Sequence, residues 1–184
     1  FHEASASRSR QCAENFEPNF GLRRVYAQPF EQMLGLGSFT GGGILERHPN
    51  MKVAFLEANC SWLPWLLWRL DEGYEREGDI FMPDLKMPPS AYFKRQCFIS
   101  VEPDEAPARH TIEEIGCDQL VFSTDYPHGD SKYPHAVESF LTLSLSDEEK
   151  RKILWDNCAR FYGSAESVSL GTTAQKKSAQ QLQA

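Results

Sequence analysis

Three short apolar runs, each closing on an acid, set the pattern of this 184-residue chain. Met51 to Glu57, Cys97 to Glu102 and Leu120 to Asp125 lack the alternation of a half-exposed strand. Continuous apolar runs of this kind fit strands covered on both faces, as in a parallel sheet. Between them the period changes to that of a helix. Leu63, Leu66, Leu67, Leu70 and Tyr74 form one stripe after the first run, with Ser61 as the expected cap and Pro64 in the first turn. Trp62, Trp65 and Trp68 add more apolar area than one face can hide, and most of it is expected in the core, with Trp62 free to line a pocket.

Shorter signals fill in the rest. Helical character runs from Ala27 to Leu36 and is broken by Gly35, Gly37 and Gly41-Gly42-Gly43, a triplet with no Gly-Lys-Ser/Thr after it and so no phosphate loop. Close helix packing or a flexible joint is its expected role. Residues 77–90 read as a long irregular connection. Asp104 is the expected cap of a helix through Ile112 and Ile115 that ends at Gly116. A further helix is expected near His135–Leu143, and Ser146-Asp147-Glu148-Glu149 is a capping box for a last one with the stripe Leu154, Cys158, Phe161, Tyr162. From Ser164 to Ala184 apolar residues are scarce and a disordered tail is expected, which leaves residues 1–163 as the folded domain.

Strands alternating with helices imply an α/β fold with a parallel sheet. The strand carboxyl ends then share one side, and Glu57, Glu102 and Asp125 gather on one rim. Such a cluster repels itself unless a cation or shared protons offset the charge. If Phe1-His2 ends a fourth strand, an imidazole joins the carboxylates, a ligand set suited to zinc or a related metal. The plainer alternative has Glu57 and Glu102 capping helices or pairing with Arg23, Arg24 or Arg69; for Glu102 that is the favoured reading, while Asp125 is favoured as a ligand.

Composition narrows the partners. A net charge of −7 argues against nucleic acid or an anionic membrane as a general partner, and no apolar run is long enough to span a bilayer. Five widely spaced cysteines without a Cys-x-x-Cys pair fit reduced core thiols in a cytoplasmic protein. The opening Phe1-His2-Glu3-Ala4 reads as the interior of a longer protein.

Several of these segments together resemble a known family. Gly43-Ile44-Leu45-Glu46-Arg47-His48-Pro49, Val53-Ala54-Phe55-Leu56-Glu57, Trp62-Leu63-Pro64, Thr124-Asp125-Tyr126-Pro127-His128 and the stretch Ile153–Gly163 are similar, in order and spacing, to amidohydrolase-related proteins. That family includes metal-dependent hydrolases and aminocarboxymuconate-semialdehyde decarboxylase. The resemblance implies the C-terminal half of a (β/α)8 TIM barrel, strands five to eight, since the chain is too short for a whole one. It implies His2 and Asp125 as metal ligands and Asp125 as a catalytic proton carrier, with Glu57 a catalytic base or an orienter of a ligand. From their positions in the sequence Trp62 is expected at the substrate, and His128, three residues past Asp125, either at the substrate or in an exposed turn. Two departures stand out: no His-x-His pair occurs, and Glu57 stands where decarboxylases of the family carry a sixth-strand His. The expectation is therefore a hydrolase of a small molecule using zinc, or manganese, to activate water, with decarboxylation or a non-catalytic half-barrel interaction module as alternatives. Open sheet edges would favour a homo-oligomer.

Overall fold

A computed structural model describes residues 15–129 and 131–163. His2, Cys12 and the segment expected as a disordered tail lie outside the described residues. Three strands form one parallel sheet in sequential order: β1 (Val53–Phe55), β2 (Cys97–Val101) and β3 (Leu120–Phe122). Val53 pairs with Cys97 and Ile99 with Leu120, so each run read from the sequence is a strand. All of β1 and β2 is buried, as continuous apolar runs require. The strand order does not reverse among the described residues, and reversal is the mark of a doubly wound sheet.

Helices cover mainly one face of this sheet, the last of them reaching the other as well. They are α1 (Phe20–Phe39), α2 (Ile44–Arg47), α3 (Leu63–Phe81), α4 (Pro89–Gln96), α5 (Ala108–Ile115), α6 (Ala136–Leu141), α7 (Asp147–Arg151) and α8 (Asn157–Tyr162), with a π-helical segment at Lys152–Asp156 between the last two. Val53, Phe55, Ile99, Val101 and Leu120 pack against Leu63, Leu67, Ile112 and Ile153 in the main core. The other face carries the smaller cluster Ala54, Phe98 and Val121, covered by Leu56, Cys158 and Phe161.

The Leu63–Tyr74 stripe faces the core as expected, but the tryptophans divide. Trp62 packs against the core, whereas Trp65 and Trp68 are exposed, because the leucine stripe already occupies the buried side of α3. Helix α1 is twice as long as the Ala27–Leu36 reading, and α3 runs on to Phe81, past a non-helical Glu77, so the irregular connection shrinks to residues 82–88. Two glycines of the triplet have definite roles. A Cβ on Gly42 would lie 2.5 Å from the Ser38 carbonyl oxygen, and Gly43 enters α2 at φ 73°, which a side chain disfavours.

Capping expectations fare unevenly. Ser146 and Glu149 form the capping box. Ser61 and Asp104 cap nothing: α3 starts after Trp62 and α5 after Pro107, neither with a side-chain cap. The Ser61 hydroxyl instead donates to Glu105, and Asp104 pairs with Lys132 at 2.7 Å. In the last helical stretch the π segment adds residues to the turn and shifts the buried positions. Ile153, Asn157 and Ala159 are buried, while Tyr162 is exposed.

Asn157 shows what that shift accomplishes. Its buried side-chain amide donates to the carbonyls of Cys117 and Leu120, each at 2.7 Å, and so ties α8 to the start of β3. Replacing it by Ala strands two carbonyls, at about 1–3 kcal/mol for each buried group left unpaired. Asn157→Ala in the full-length protein should lower the urea midpoint markedly without changing the slope. An unchanged midpoint would show that α8 is not held by this amide.

Candidate metal centre

Each of the three acids read from the sequence follows a strand, and the parallel register brings them to one side of the sheet. Glu57 lies two residues beyond β1, Glu102 directly after β2 and Asp125 three residues beyond β3. Glu57 and Asp125 both adopt left-handed backbone, at φ 65° and 57°. For a residue other than glycine such a conformation costs on the order of 1–3 kcal/mol and persists only where its surroundings impose it. Around Glu57 they do. Its N–H donates to the Oγ of buried Ser100 at 3.0 Å, and the carbonyl of Leu56 accepts from buried Gln32 on α1 at 2.8 Å.

The neighbouring loops are held by one carboxylate. Glu105 is buried and accepts hydrogen bonds from the Cys60 N–H at 2.8 Å, the Ser61 N–H at 2.9 Å and the Ser61 hydroxyl at 2.5 Å. Its second oxygen accepts from the Glu102 N–H at 3.2 Å. One side chain thereby joins the loop after β1 to the loop after β2. Sequence reading did not single it out, since a Glu in a loop carries no periodic signal.

Glu57, Asp125 and His128 converge: one ligand atom from each lies within 4.8 Å of the others. His128 Nδ1 stands 3.0 Å from Asp125 Oδ1, which the short Asp-x-x-His turn makes possible. Burial first, and then the carboxylate of Glu57, push the Asp125 carboxyl above the ordinary Asp range, while His128 pulls it back. Two carboxylate oxygens and an imidazole nitrogen are a donor set for a divalent cation. His2, expected beside Asp125, lies outside the described residues. Trp62 is near the loop after β1 but spends its indole N–H on the Ala58 carbonyl at 2.8 Å, which leaves its ring rather than its donor for any ligand.

Glu102 departs from the favoured reading. It caps no helix and meets none of the three arginines; Arg23 pairs with Glu17 and Arg69 with Glu72. Burial, reinforced by the charges of Glu105, Asp125, Glu57 and Asp104, pushes its carboxyl up to about 7. The half-buried group therefore favours its protonated form on folding. A folded-state value raised above the unfolded one, near 4.5, contributes stability that is complete below about 4.5 and lost as pH rises through about 7. Melting temperatures of chelator-treated protein should accordingly fall across that window, and Glu102→Gln should flatten the fall. Parallel curves for both proteins would mean that Glu102 does not titrate there.

Comparison with known proteins agrees with this geometry. The family model described as amidohydrolase matches residues 33–164. A 2-amino-3-carboxymuconate-6-semialdehyde decarboxylase from Dictyostelium discoideum is 26% identical over 148 residues, which are 79% of this chain and 40% of that protein. A gamma-resorcylate decarboxylase from a Polaromonas strain is 26% identical over 134 residues, covering 66% of this chain and 37% of its own length. Among solved structures, 5-carboxyvanillate decarboxylase from Sphingomonas paucimobilis superposes with a TM-score of 0.68 at 24% identity, over 83% of this chain and 45% of that one. A dihydroxybenzoic acid decarboxylase from Polaromonas, solved with manganese and 2-nitroresorcinol, gives 0.68 at 22% identity over 84% and 46%. The chain thus spans less than half the length of the relatives it matches. A family match over most of the sequence, on a parallel sheet whose strand ends gather Glu57, Asp125 and His128, makes this chain a member of the amidohydrolase family.

Proposed function

We propose that the protein bearing this chain is a divalent-metal-dependent carboxy-lyase acting on a small unsaturated or aromatic carboxylic acid. The chain would supply strands five to eight of a (β/α)8 barrel, with β1, β2 and β3 as the sixth, seventh and eighth. What carries this reading is the convergence of Glu57, Asp125 and His128 at the carboxyl ends of the sheet, in a chain whose curated relatives act as decarboxylases. Hydrolysis, the first expectation from sequence, finds less support, because the matched relatives named above remove CO2 instead. Manganese is the metal named with a structural relative, so it takes precedence over zinc.

The residues fit a cation: the Glu57 carboxylate raises the proton affinity of Asp125 beside it, so a positive charge between them would offset that repulsion, and the imidazole nitrogen adds a further donor. Glu57, Asp125 and His128 would hold the ion, with His2 as a further ligand by family resemblance. When bound, it supplies charge stabilisation for a carboxylate substrate and its developing carbanion. Asp125 Oδ1 and His128 Nδ1, 3.0 Å apart, are within hydrogen-bond distance of each other. Loss of CO2 leaves an electron pair on carbon that must accept a proton, and a proton held at the Asp125–His128 contact would be handed to it by Asp125. Asp125 lies three residues beyond β3, and the Glu105 clamp holds the loops after β1 and β2 beside it. Trp62 would offer its ring to the substrate.

Asn at position 125 keeps the shape but can neither carry the charge nor hand over a proton. In the full-length protein supplied with manganese, Asp125→Asn should lower CO2 release from dihydroxybenzoate-type acids by at least ~100-fold. The bound manganese, measured by elemental analysis, should fall with it. Near-normal turnover would overturn the assignment of Asp125. A parent protein that binds no stoichiometric metal and releases no CO2 would instead favour a non-catalytic interaction module.

A further inference from the structure

The end of the sheet opposite to the acids is basic. Lys52 precedes β1, Lys94 and Arg95 lie in the last turn of α4 before β2, Gln119 precedes β3, and Arg160 reaches in from α8. These residues line one recess of about 120 Å³ with Cys97 and Phe98 at its wall. On a chain of net charge −7, four cations around one small recess are a local inversion of sign. None of the four forms an ion pair with a carboxylate among the described residues. The nearest acid by sequence, Asp118, is engaged by Lys152 at 3.0 Å.

Bonds to neutral groups hold three of the four, Lys52, Arg95 and Arg160, in place. Lys52 Nζ donates to the Arg160 carbonyl at 2.7 Å, at the end of α8. Arg95 lies 4.9 Å over the Tyr92 ring and donates to the Leu45 carbonyl at 2.9 Å, while helping to hold Glu46 ionised. Arg160 lies 5.1 Å over the Phe98 ring and donates to the Asp118 carbonyl. Arg95 also donates through Nε to the Gln96 side-chain oxygen at 2.6 Å, and even so ring stacking and these bonds leave most of the five N–H donors of each guanidinium unused. The Gln119 amide donates to the Lys94 carbonyl at 3.0 Å and thereby ties the start of β3 to α4. Cations converging on a concave wall, with spare donors and no direct ion pair to a carboxylate among the described residues, suit an anion rich in oxygen acceptors.

We infer that this recess is a binding site for a phosphate-class oxyanion, separate from the acidic cluster at the other end of the strands. Its small volume suits a compact anion or the phosphate group of a larger ligand rather than a nucleotide base. The site stands whether or not the protein is a carboxy-lyase, because none of its residues belongs to the acidic cluster.

Calorimetric titration of the full-length protein with inorganic phosphate, in EDTA and at constant ionic strength, tests it. Saturable binding at one site is expected, with no matching heat from sodium chloride. The Lys94 ammonium is exposed and its removal disturbs no bond, so Lys94→Glu should fold and weaken phosphate affinity by at least about tenfold, the size expected for losing a charged contact. Lys94→Arg should retain saturable binding, and so should Asp125→Asn. Chloride acting as well as phosphate, undiminished affinity in Lys94→Glu, or loss of binding in Asp125→Asn would each overturn the proposal. Because Asp125→Asn is also the variant that reports on turnover, retained phosphate binding alongside retained or lost activity separates the two readings.

Discussion

One buried carboxylate ties together the first two strand exits beside the candidate metal centre. Glu105 accepts from the backbone on both sides of the gap between the first two strand ends, through Cys60 and Ser61 on one loop and Glu102 on the other. In a parallel sheet adjacent strands are joined by long crossovers, so their exit loops have no hydrogen-bonded turn to fix their spacing. A carboxylate with several lone pairs can do that work if the donors converge on it, and here they do. Gln32 and Ser100 complete the frame by holding the Leu56 carbonyl and the Glu57 N–H. With the backbone fixed on both sides, a left-handed Glu57 becomes tolerable, and its carboxylate is presented toward Asp125 rather than toward solvent.

The same frame concentrates unfavourable charge. Glu102 and Asp125 both have their carboxyls raised by burial and by neighbouring acids. Left to packing alone, such a rim would be selected against, because each added carboxylate raises the cost of ionising the rest. Its presence at the carboxyl ends of parallel strands, where α/β enzymes place their chemistry, is the physical argument for function rather than accident. At the other end of the strands four cations converge from three segments, so the described part of the molecule is polarised along the strand direction although the net charge of the chain is modest for its length.

Which face of the sheet is deeply packed also bears on the domain. The helical face carries most of the core, whereas the other depends on Phe161 meeting Phe98 edge-on at a centroid separation of 5.2 Å, with few other apolar neighbours. That contact exists because the π segment turns α8 so that Phe161 reaches the sheet. Lys52 then binds the carbonyls of Arg160 and Phe161 and keeps the helix end beneath the strands.

Local pattern in the sequence determined the elements. Apolar runs ending in acids became the three strands, the leucine stripe became the buried side of α3, and Ser146 with Glu149 became a capping box, because each depends on residues only a few positions apart. Asp125 and Glu57 were legible as rim residues for the same reason: a parallel sheet puts every strand's carboxyl end on one side. Tertiary structure decided what depends on distant partners. Ser61 reads as a cap until Glu105, 44 residues on, competes for its hydroxyl. Glu102 reads as a paired surface acid until the fold surrounds it with carboxylates and no arginine. His128 joins the cluster only because the loop after β3 turns back on Asp125. Of the expected stripe Leu154, Cys158 and Phe161 pack against the core while Tyr162 is exposed, with Asn157 buried beside them across a π turn. Periodicity records which side of an element is apolar; it holds no record of which polar atoms, far apart in the chain, will have to satisfy one another once water is excluded.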